Sequence, residues 1–414
     1  MVRRRTTVTI DAAVANLYKV SVDEFVKHRR HREELRGVVA SLCESGSPVS
    51  TAAVADLNRR YASDVAALIV GSVESQSKLI RKFGDGVWIG TPRSAMQATT
   101  TSVAKLKASW LAFLAGEQVI DLCCGIGGDA ASLSRQHPVT VVDRDPAMVV
   151  AAMINANLDD GQIGDVTVLS LSGPVVHIDP DRREGGVRRS DADHCRPTWD
   201  QTQSLASKFD NAIIKLAPAA ELGDAPERHR AWIAAGGVVR EQSVLGGEMI
   251  RQNRLVDGGR SAWRLREGES PVVYQPERLA ECSDWADAPG GVLVDPDRSI
   301  RAAGLTETFA GQFGLQPVGS PAGFLTGGAI DADLPRGIAA AAEVLWSGSV
   351  DDRKLRRVLR QNHWRVDAVK VRGGGEDPGV LHRRYRTIGD DPVVLWIGTA
   401  GRRRYAAVTG PIPT

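Results

Sequence analysis

Short apolar runs alternate with polar, helix-type segments along the middle of the chain, from about residue 115 to about residue 275. A run of about four to eight apolar residues is typical of a buried strand. Strands that alternate with helices favour a parallel sheet with helices on both faces. We therefore predict an α/β fold built on a doubly wound, seven-stranded sheet. The predicted strands lie at residues 119–122, 139–143, 166–170, 174–179, 211–216, 237–243 and 262–266.

The predicted strand at 166–170 fits this sheet poorly. Only a few residues separate it from the run at 174–179, whereas parallel neighbours need a crossover of about a dozen residues. Either the two runs are not parallel neighbours, or 166–170 is not a strand of the sheet.

The pattern of predicted helices and strands at the two ends of the chain differs from that in its middle. Residues 21–24 (Ser-Val-Asp-Glu) fit a capping box in a helical N-terminal region, and a further helix is expected at 94–114. Near the C-terminus, a basic amphipathic helix at 351–360 and a hairpin within 393–408 indicate a small α+β module. We therefore predict three parts: an N-terminal helical region at 1–84, a central domain at 85–285 and a C-terminal α+β domain at 286–414.

Composition limits the class of protein. The 414 residues exceed one ordinary domain, and the net charge of +2 does not by itself indicate a nucleic-acid partner. Five cysteines without paired Cys-x-x-Cys spacing predict neither a zinc site nor a disulfide framework. No apolar run reaches the length of a membrane span, and no apolar segment follows the basic N-terminus. We predict a cytoplasmic protein that uses no metal.

The strand at 119–122 leads into a glycine-rich turn, which carries the strongest chemical signal. Gly125, Gly127 and Gly128 permit a tight turn and a close approach of the backbone to a ligand. The next apolar run ends in Asp143, about where a carboxylate accepts hydrogen bonds from ribose hydroxyls. The order of these features predicts a nucleotide-like ligand at the carboxyl edge of the sheet.

Two ligands fit this turn. The spacing Gly125-x-Gly127-x-x-Ala130 matches the looser dinucleotide pattern. Asp121, at the end of the strand, argues against NAD because its carboxylate would repel a pyrophosphate. The same carboxylate would attract the ammonium and sulfonium groups of S-adenosylmethionine. The residues favour the methyl donor, with NAD and a turn that binds no ligand as alternatives.

Residues 121–129 read Asp-Leu-Cys-Cys-Gly-Ile-Gly-Gly-Asp and closely resemble motif I of bacterial class I methyltransferases with a C-terminal THUMP-like domain. The resemblance implies a Rossmann-like methyltransferase core, S-adenosylmethionine as donor and RNA binding by the terminal domain. Such enzymes hold the adenine amino group with a carboxylate near the start of a helix, and the short segment after residue 170 leaves that contact unassigned. The resemblance covers about residues 75–414, with further matches at 82–83, 97–99, 177–183, 215–218, 295–305 and 324–327.

Asp179-Pro180 ends a strand beside the turn, where class I enzymes meet the methyl acceptor. A carboxylate there can accept hydrogen bonds from an exocyclic amine and orient its lone pair, so that transfer needs mainly alignment. The aromatic residue that base-amine methyltransferases often carry next is missing, which leaves other acceptors open. Arg182 and Arg183 are predicted to contact phosphates, with a solvated loop as the alternative. Lys215, at a strand end, is predicted to face the site, with a lysine on the protein surface as the alternative.

These features predict S-adenosylmethionine-dependent methyl transfer to RNA, which is bound by the basic loop at 182–189 and the C-terminal domain. The alternatives are a catalytically inactive RNA-binding module on the same fold and an NAD-linked oxidoreductase. The predicted acceptor-side residues are Asp179 and Pro180 as catalytic groups, with Arg182, Arg183 and Lys215 as substrate-binding groups. The predicted donor-binding residues are Gln97, Thr99, Asp121, Cys123, Gly125, Gly127, Asp143 and Arg144.

Overall fold

The chain forms two compact units. Unit 1 comprises Met1–His229 with Gln242–Asp257, and unit 2 comprises Arg230–Glu241 with Gly258–Thr414. The three-part division drawn from the sequence stays a prediction. The computed structural model describes residues 22–45, 49–181, 183–184, 187–188, 195–222, 227–280, 284–319, 323–373, 375–386 and 389–412.

Helices form the first part of unit 1. Leu35 and Val39 on one helix and Ile69 and Val73 on another are at most 4% exposed, and they share a core with Ile154 of a later helix. Their spacing of four residues places each pair on one helix face. The helices are α1 (Val22–Lys27), α2 (Arg29–Glu44), α3 (Thr51–Arg60), α4 (Ser63–Phe83), α5 (Pro92–Gln97) and α6 (Thr101–Trp110).

The expected helix at 94–114 is wrong in one respect, because the chain leaves the helical path between α5 and α6. Residues 99–101 are three consecutive threonines, whose branched side chains disfavour a continuous helix. Lys82 donates to the carbonyls of Met96 and Ala98, which compensates for lost helical hydrogen bonds. The break places Thr99 beside the glycine turn. The capping box at 21–24 begins at Ser21, which lies outside the described residues.

A mainly parallel sheet occupies the centre of unit 1. Its strands follow the order β3-β2-β1-β4-β7-β9, in which only β9 runs antiparallel to its neighbour. Two short strands, β5 and β6, pair with each other. The strands up to residue 247 are β1 (Val119–Leu122), β2 (Val139–Asp143), β3 (Gly161–Ile163), β4 (Gly173–Ile178), β5 (Arg183–Glu184), β6 (Val187–Arg188), β7 (Phe209–Leu216), β8 (His229–Ala235) and β9 (Val238–Gly247). Of these, β8 from Arg230 onward and the part of β9 before Gln242 belong to unit 2.

Among the described residues, four further helices belong to unit 1. The longest begins after Asp145, whose side chain accepts from the N–H of Ala147, and Pro146 occupies its first turn. These helices are α7 (Ala130–Leu133), α8 (Pro146–Ala156), α9 (Trp199–Ala206) and α10 (Met249–Gln252).

Two strand predictions need correction. Residues 166–170 are not a strand, because the carboxylate of Asp165 accepts from both the N–H and the hydroxyl of Thr167 and turns the chain. The edge strand is instead β3, which pairs in parallel with β2. The sequence prediction also omitted β8. Its signal was the dipeptide Gly236-Gly237, whose two positive φ angles of 59° and 74° make the turn to β9.

Unit 2 contains β8 and the strands that follow β9. Its seven-stranded sheet has the order β13-β14-β12-β15-β18-β17-β16, with β16 and β17 parallel and the other neighbours antiparallel. Strand β10 pairs with β8 and with β11. The strands are β10 (Arg260–Leu265), β11 (Val272–Tyr274), β12 (Val292–Pro296), β13 (Gln316–Pro317), β14 (Leu325–Gly327), β15 (Ala339–Ser349), β16 (Trp364–Val371), β17 (Asp391–Ala400) and β18 (Arg403–Thr409).

The helices of unit 2 confirm the predicted basic helix and α+β texture near the C-terminus. Asp351 caps α13 by accepting from the N–H of Lys354, and Leu355 and Leu359 bury its apolar side. The predicted hairpin is the antiparallel pair of β17 and β18. The helices are α11 (Arg298–Ala302), α12 (Thr306–Gln312), α13 (Asp352–Gln361) and α14 (Pro378–Tyr385). Within the described ranges no helix is both long and apolar enough to cross a bilayer.

Replacing Leu359 by Ala should lower the free energy of unfolding of unit 2 by about 2–5 kcal/mol, because it leaves a cavity in a closed core. Leu345→Ala is the matched control, since Leu345 is 51% exposed and should lose far less. Chemical denaturation followed by circular dichroism measures both. Equal losses would contradict the described packing of α13.

Candidate functional site

The turn after β1 has left-handed backbone at three positions, with φ of 57° at Cys123, 52° at Gly125 and 75° at Gly127. A Cβ added at Gly127 would lie 2.8 Å from Cα of Ala152, so this glycine permits the close approach of α8. A Cβ added at Gly125 would meet no atom within 4 Å. The turn is therefore packed tightly on one side and leaves space beside Gly125.

Asp143 ends β2 and faces this turn. Its Oδ2 accepts from the N–H of Gly125 at 3.1 Å, and its Oδ1 accepts from the N–H of Asp145 at 3.0 Å. Burial raises the pKa of Asp143, and the two amide donors oppose that rise. A carboxylate oxygen has more than one lone pair, so Asp143 is fixed in direction yet can still accept hydrogen bonds. Arg144 follows it and is exposed.

A chain of buried polar groups lies beneath the turn. Nδ1 of His177 is 2.7 Å from Oδ1 of Asp121, and Nε2 of His177 is 3.2 Å from Nζ of Lys107. Lys107 is also 2.6 Å from Oδ1 of Asp129, and all four side chains are at most 6% exposed. An ammonium has only donors, so Nε2 of His177 accepts from Lys107 and Nδ1 donates to Asp121. These hydrogen-bond roles assign the neutral tautomer with the proton on Nδ1.

Thr99 links these buried polar groups to Lys215, at the end of β7. Its hydroxyl donates to Oδ2 of Asp129 at 2.7 Å and accepts from Nζ of Lys215 at 2.8 Å. Lys215 in turn lies 2.6 Å from Oδ2 of Asp179. Hydrogen bonds and ion pairs thus run without a gap from the end of β1 to the residue that follows β4.

Burial raises the pKa of a carboxyl group, whereas neighbouring cations lower it. The balance between the two effects differs for Asp121 and Asp129. Burial raises the pKa of Asp121, although the contact with His177 opposes the shift. Burial also disfavours the charged form of Asp129, but the surrounding cations, above all Lys107, outweigh it and hold the pKa of that carboxyl below its usual range. Asp129 is therefore the fixed anion of the group.

The predicted acceptor side lies next to the turn. The N–H of Asp179 donates to the carbonyl of Leu122 at 3.1 Å, which joins the ends of β4 and β1. The side chain of Asp179 is 29% exposed, and Pro180 after it is buried. Lys215, at the end of β7, comes together with Asp179, and its role in binding the substrate stays a prediction.

The other predicted residues are placed less centrally. Gln97 is exposed, and its amide nitrogen is 3.4 Å from Oδ1 of Asp181. Burial raises the pKa of the Cys123 thiol well above its ordinary value, which argues for a neutral packing group. Arg182 lies outside the described residues, as do the side chain of Arg183 and much of the loop at 182–189.

Sequence reasoning missed several members of the site. Lys107 stands in an apolar stretch of α6, which was the available signal, because a lysine at a core position needs an anionic partner. His177, in β4, was not among the predicted site residues. Asp165 follows Gly164 directly after β3, at the same edge of the sheet as Asp143. Its Oδ1 is occupied by Thr167, and Thr167 helps hold the pKa of Asp165 below its usual value.

Comparisons with known proteins agree with this geometry. No family model matches the chain. It is 29% identical over 341 residues to proteins of two Mycobacterium tuberculosis strains, each named "Uncharacterized S-adenosylmethionine-dependent methyltransferase", covering 80% of this chain and 90% of theirs. A crystal structure of a "putative methyltransferase" from Porphyromonas gingivalis superimposes with a TM-score of 0.65 at 17% identity, covering 91% of this chain and 98% of that one.

The chain has a methyltransferase fold. The P. gingivalis likeness spans nearly all of both chains, and the mainly parallel sheet of unit 1 fits the Rossmann-like core that the sequence predicted.

Lys107→Met should lower the free energy of unfolding by about 3–5 kcal/mol at neutral pH, because it leaves Asp129 buried without its main cation. The depressed pKa of Asp129 contributes stability that is present above its ordinary pKa of 3.8 and is lost in acid. The difference between variant and wild type should therefore shrink as the pH falls through about 4.

Urea unfolding between pH 3 and pH 7 measures this difference. Lys105→Met is the matched control, since Lys105 lies on the same helix but is exposed. A loss that is equal for the two lysines, or that does not depend on pH, would contradict the buried pair.

Proposed function

We propose that this chain transfers a methyl group from S-adenosylmethionine to RNA. The observation that carries the proposal is the juxtaposition of a glycine turn, with open space beside Gly125, and three strand-end carboxylates: Asp143, Asp165 and Asp179. The names of the M. tuberculosis relatives support the donor.

The donor side fits S-adenosylmethionine on the residues present. Asp143 would accept from the ribose hydroxyls, since both its oxygens are already aligned by backbone N–H groups. Asp165 would accept from the adenine amino group through the oxygen that Thr167 does not engage. Oδ2 of Asp121 is buried without a hydrogen-bond partner among the described residues, and Nδ1 of His177 donates to Oδ1. A carboxylate in this position beneath the turn would favour a cationic ligand over a pyrophosphate.

The remaining predicted donor contacts surround the same turn. Cys123 and Gly125 would present backbone, Arg144 follows the ribose carboxylate, and Gln97 lies near Asp181. Thr99 acts through Asp129 and Lys215, because its hydroxyl is committed to both of them.

On the acceptor side, Lys215 occupies Oδ2 of Asp179, and the described residues provide no hydrogen bond to Oδ1. That oxygen would accept from an amine or hydroxyl of the substrate and take up the proton that methylation releases. S-adenosylmethionine supplies an electrophilic methyl group whose transfer leaves a neutral thioether. The protein therefore needs mainly to align the acceptor and exclude water. The buried Pro180 restricts the backbone conformation at this point, because its ring fixes φ.

RNA is proposed as the acceptor because basic residues are concentrated in two segments of the chain. The loop at 182–189 contains four arginines, and the solvent face of α13 carries several exposed cations beside Leu355 and Leu359. Such patches are suited to phosphate contacts that position a nucleic acid without reading its sequence.

Replacing Asp143 by Ala should weaken S-adenosylmethionine binding by about 1–3 kcal/mol, the scale of removing one buried hydrogen-bonding group. Isothermal titration calorimetry measures the affinity, with the exposed Asp210→Ala as control. If the folded wild type gives no heat with the donor or its demethylated product, the donor assignment falls. Binding of NAD instead would favour the oxidoreductase.

Asp179→Asn should leave donor binding unchanged and slow methyl transfer about 100-fold, because the acceptor loses its alignment and its proton acceptor. Transfer of labelled methyl groups to total RNA measures the rate, and mass spectrometry of nucleosides from cells with and without the gene identifies the product. An unchanged nucleoside profile would move the acceptor to proteins or small molecules. Full donor binding without turnover on any acceptor would favour the inactive binding module.

A further inference from the structure

Unit 2 contains a carboxylate surrounded by three cations. Asp295, near the end of β12, has a side chain that is only 9% exposed. Its Oδ1 is 3.0 Å from Nη1 of Arg301 and 2.9 Å from Nη2 of Arg372, and its Oδ2 is 2.8 Å from Nζ of Lys370. We name these four residues the Asp295 cluster.

The cluster has an excess of positive charge. Three cations against one carboxylate leave two positive charges unbalanced at this point. Asp297 also acts on Arg301, but it is engaged by Arg264 at 3.6 Å and by the N–H of Ser299. Burying like charges together is costly unless a counter-charge is available. The arrangement therefore stabilises an additional anion.

The cations are held in place and still have donors to offer. Lys370 lies over the ring of Trp396 at 5.3 Å, and Arg372 lies over the ring of Phe324 at 5.6 Å. Both rings are fully buried, so they hold in place the side chains of Lys370 and Arg372 that pack against them. Nε of Arg372 is buried with no hydrogen-bond partner among the described residues. Each cation has more N–H donors than the contacts with Asp295 use.

Solvent reaches this cluster from outside. The side chains of Arg301, Lys370 and Arg372 are 21%, 26% and 26% exposed. A phosphate that belongs to a longer chain can approach such a surface without separating from its neighbours. An isolated small metabolite would gain little enclosure there.

We propose that Arg301, Lys370 and Arg372 bind a backbone phosphate of the RNA substrate, and that Asp295 holds the three cations in a fixed array. This inference rests on the proposed RNA acceptor. It adds a binding site in unit 2 that does not depend on the glycine turn or on Asp179.

Lys370→Met tests the inference in the full chain. Affinity for a fluorescein-labelled single-stranded RNA should fall about tenfold at low salt, the scale of one hydrogen bond to a charged group. The slope of the logarithm of affinity against the logarithm of salt should fall by about 0.7, the contribution of one phosphate contact in single strands. Fluorescence anisotropy measures both. Lys370→Arg keeps the charge and should retain most of the affinity.

Arg266→Met is the matched control, because Arg266 is a 42% exposed cation of the same unit that pairs with Glu269. It should change affinity by less than about twofold, as expected for a surface ion pair. If Lys370→Met does not fold, Arg301→Gln, which keeps a polar side chain, replaces it. RNA affinity and salt slope that stay at wild-type values in a folded cluster variant would overturn the inference.

Two further measurements separate this inference from its basis. Titration with inorganic phosphate tests for a small-ligand site, and phosphate binding that Lys370→Met abolishes while RNA binding is unchanged would overturn the RNA assignment. Donor binding by calorimetry should be the same in wild type and variant. Wild-type protein that binds donor but no RNA would refute the RNA acceptor itself, whereas RNA binding that is insensitive to the cluster refutes only the phosphate site.

Discussion

The ion pair between Lys107 and Asp129 is the interaction on which the functional part of unit 1 depends. Each charge alone would cost several kcal/mol to bury, so neither residue is tolerated without the other. Lys107 belongs to α6 and Asp129 to the glycine turn, so the pair attaches the helix to the end of the sheet. Through Asp129 it also fixes Thr99, and through Lys107 it fixes the ring of His177.

Local features of the site could be predicted from the sequence, and distant pairings could not. The strands β1, β2 and β4 and the turn at Gly125 follow from apolar runs and glycine spacing, which are properties of adjacent residues. The contact of Thr99 with Lys215 joins residues 116 positions apart, so no local pattern contains it. The prediction of a strand at 166–170 was wrong because the side chain of Asp165 accepts a hydrogen bond from the backbone of Thr167. This turn outweighs the β propensity of the segment.

Both units contain a cluster of carboxylates and cations, but the two clusters differ in charge and in exposure to solvent. Beneath the glycine turn each cation has an anionic or neutral acceptor, as Lys107 has with Asp129, and the array is closed to solvent. Around Asp295 the cations outnumber the carboxylate and remain partly exposed. An enclosed group whose cation is paired with a carboxylate sets geometry, whereas an accessible group with an excess of cations produces a field that extends to a ligand.

The hydroxyl of Thr99 has one proton, which it donates in its hydrogen bond to Asp129. The oxygen can then only receive from Lys215, so the order of donors and acceptors is set along the whole path. The ammonium of Lys215 is thus held from two sides, by the oxygen of Thr99 and by Oδ2 of Asp179. A single hydroxyl group therefore sets the spacing between Asp129 on the donor side and Lys215 on the acceptor side.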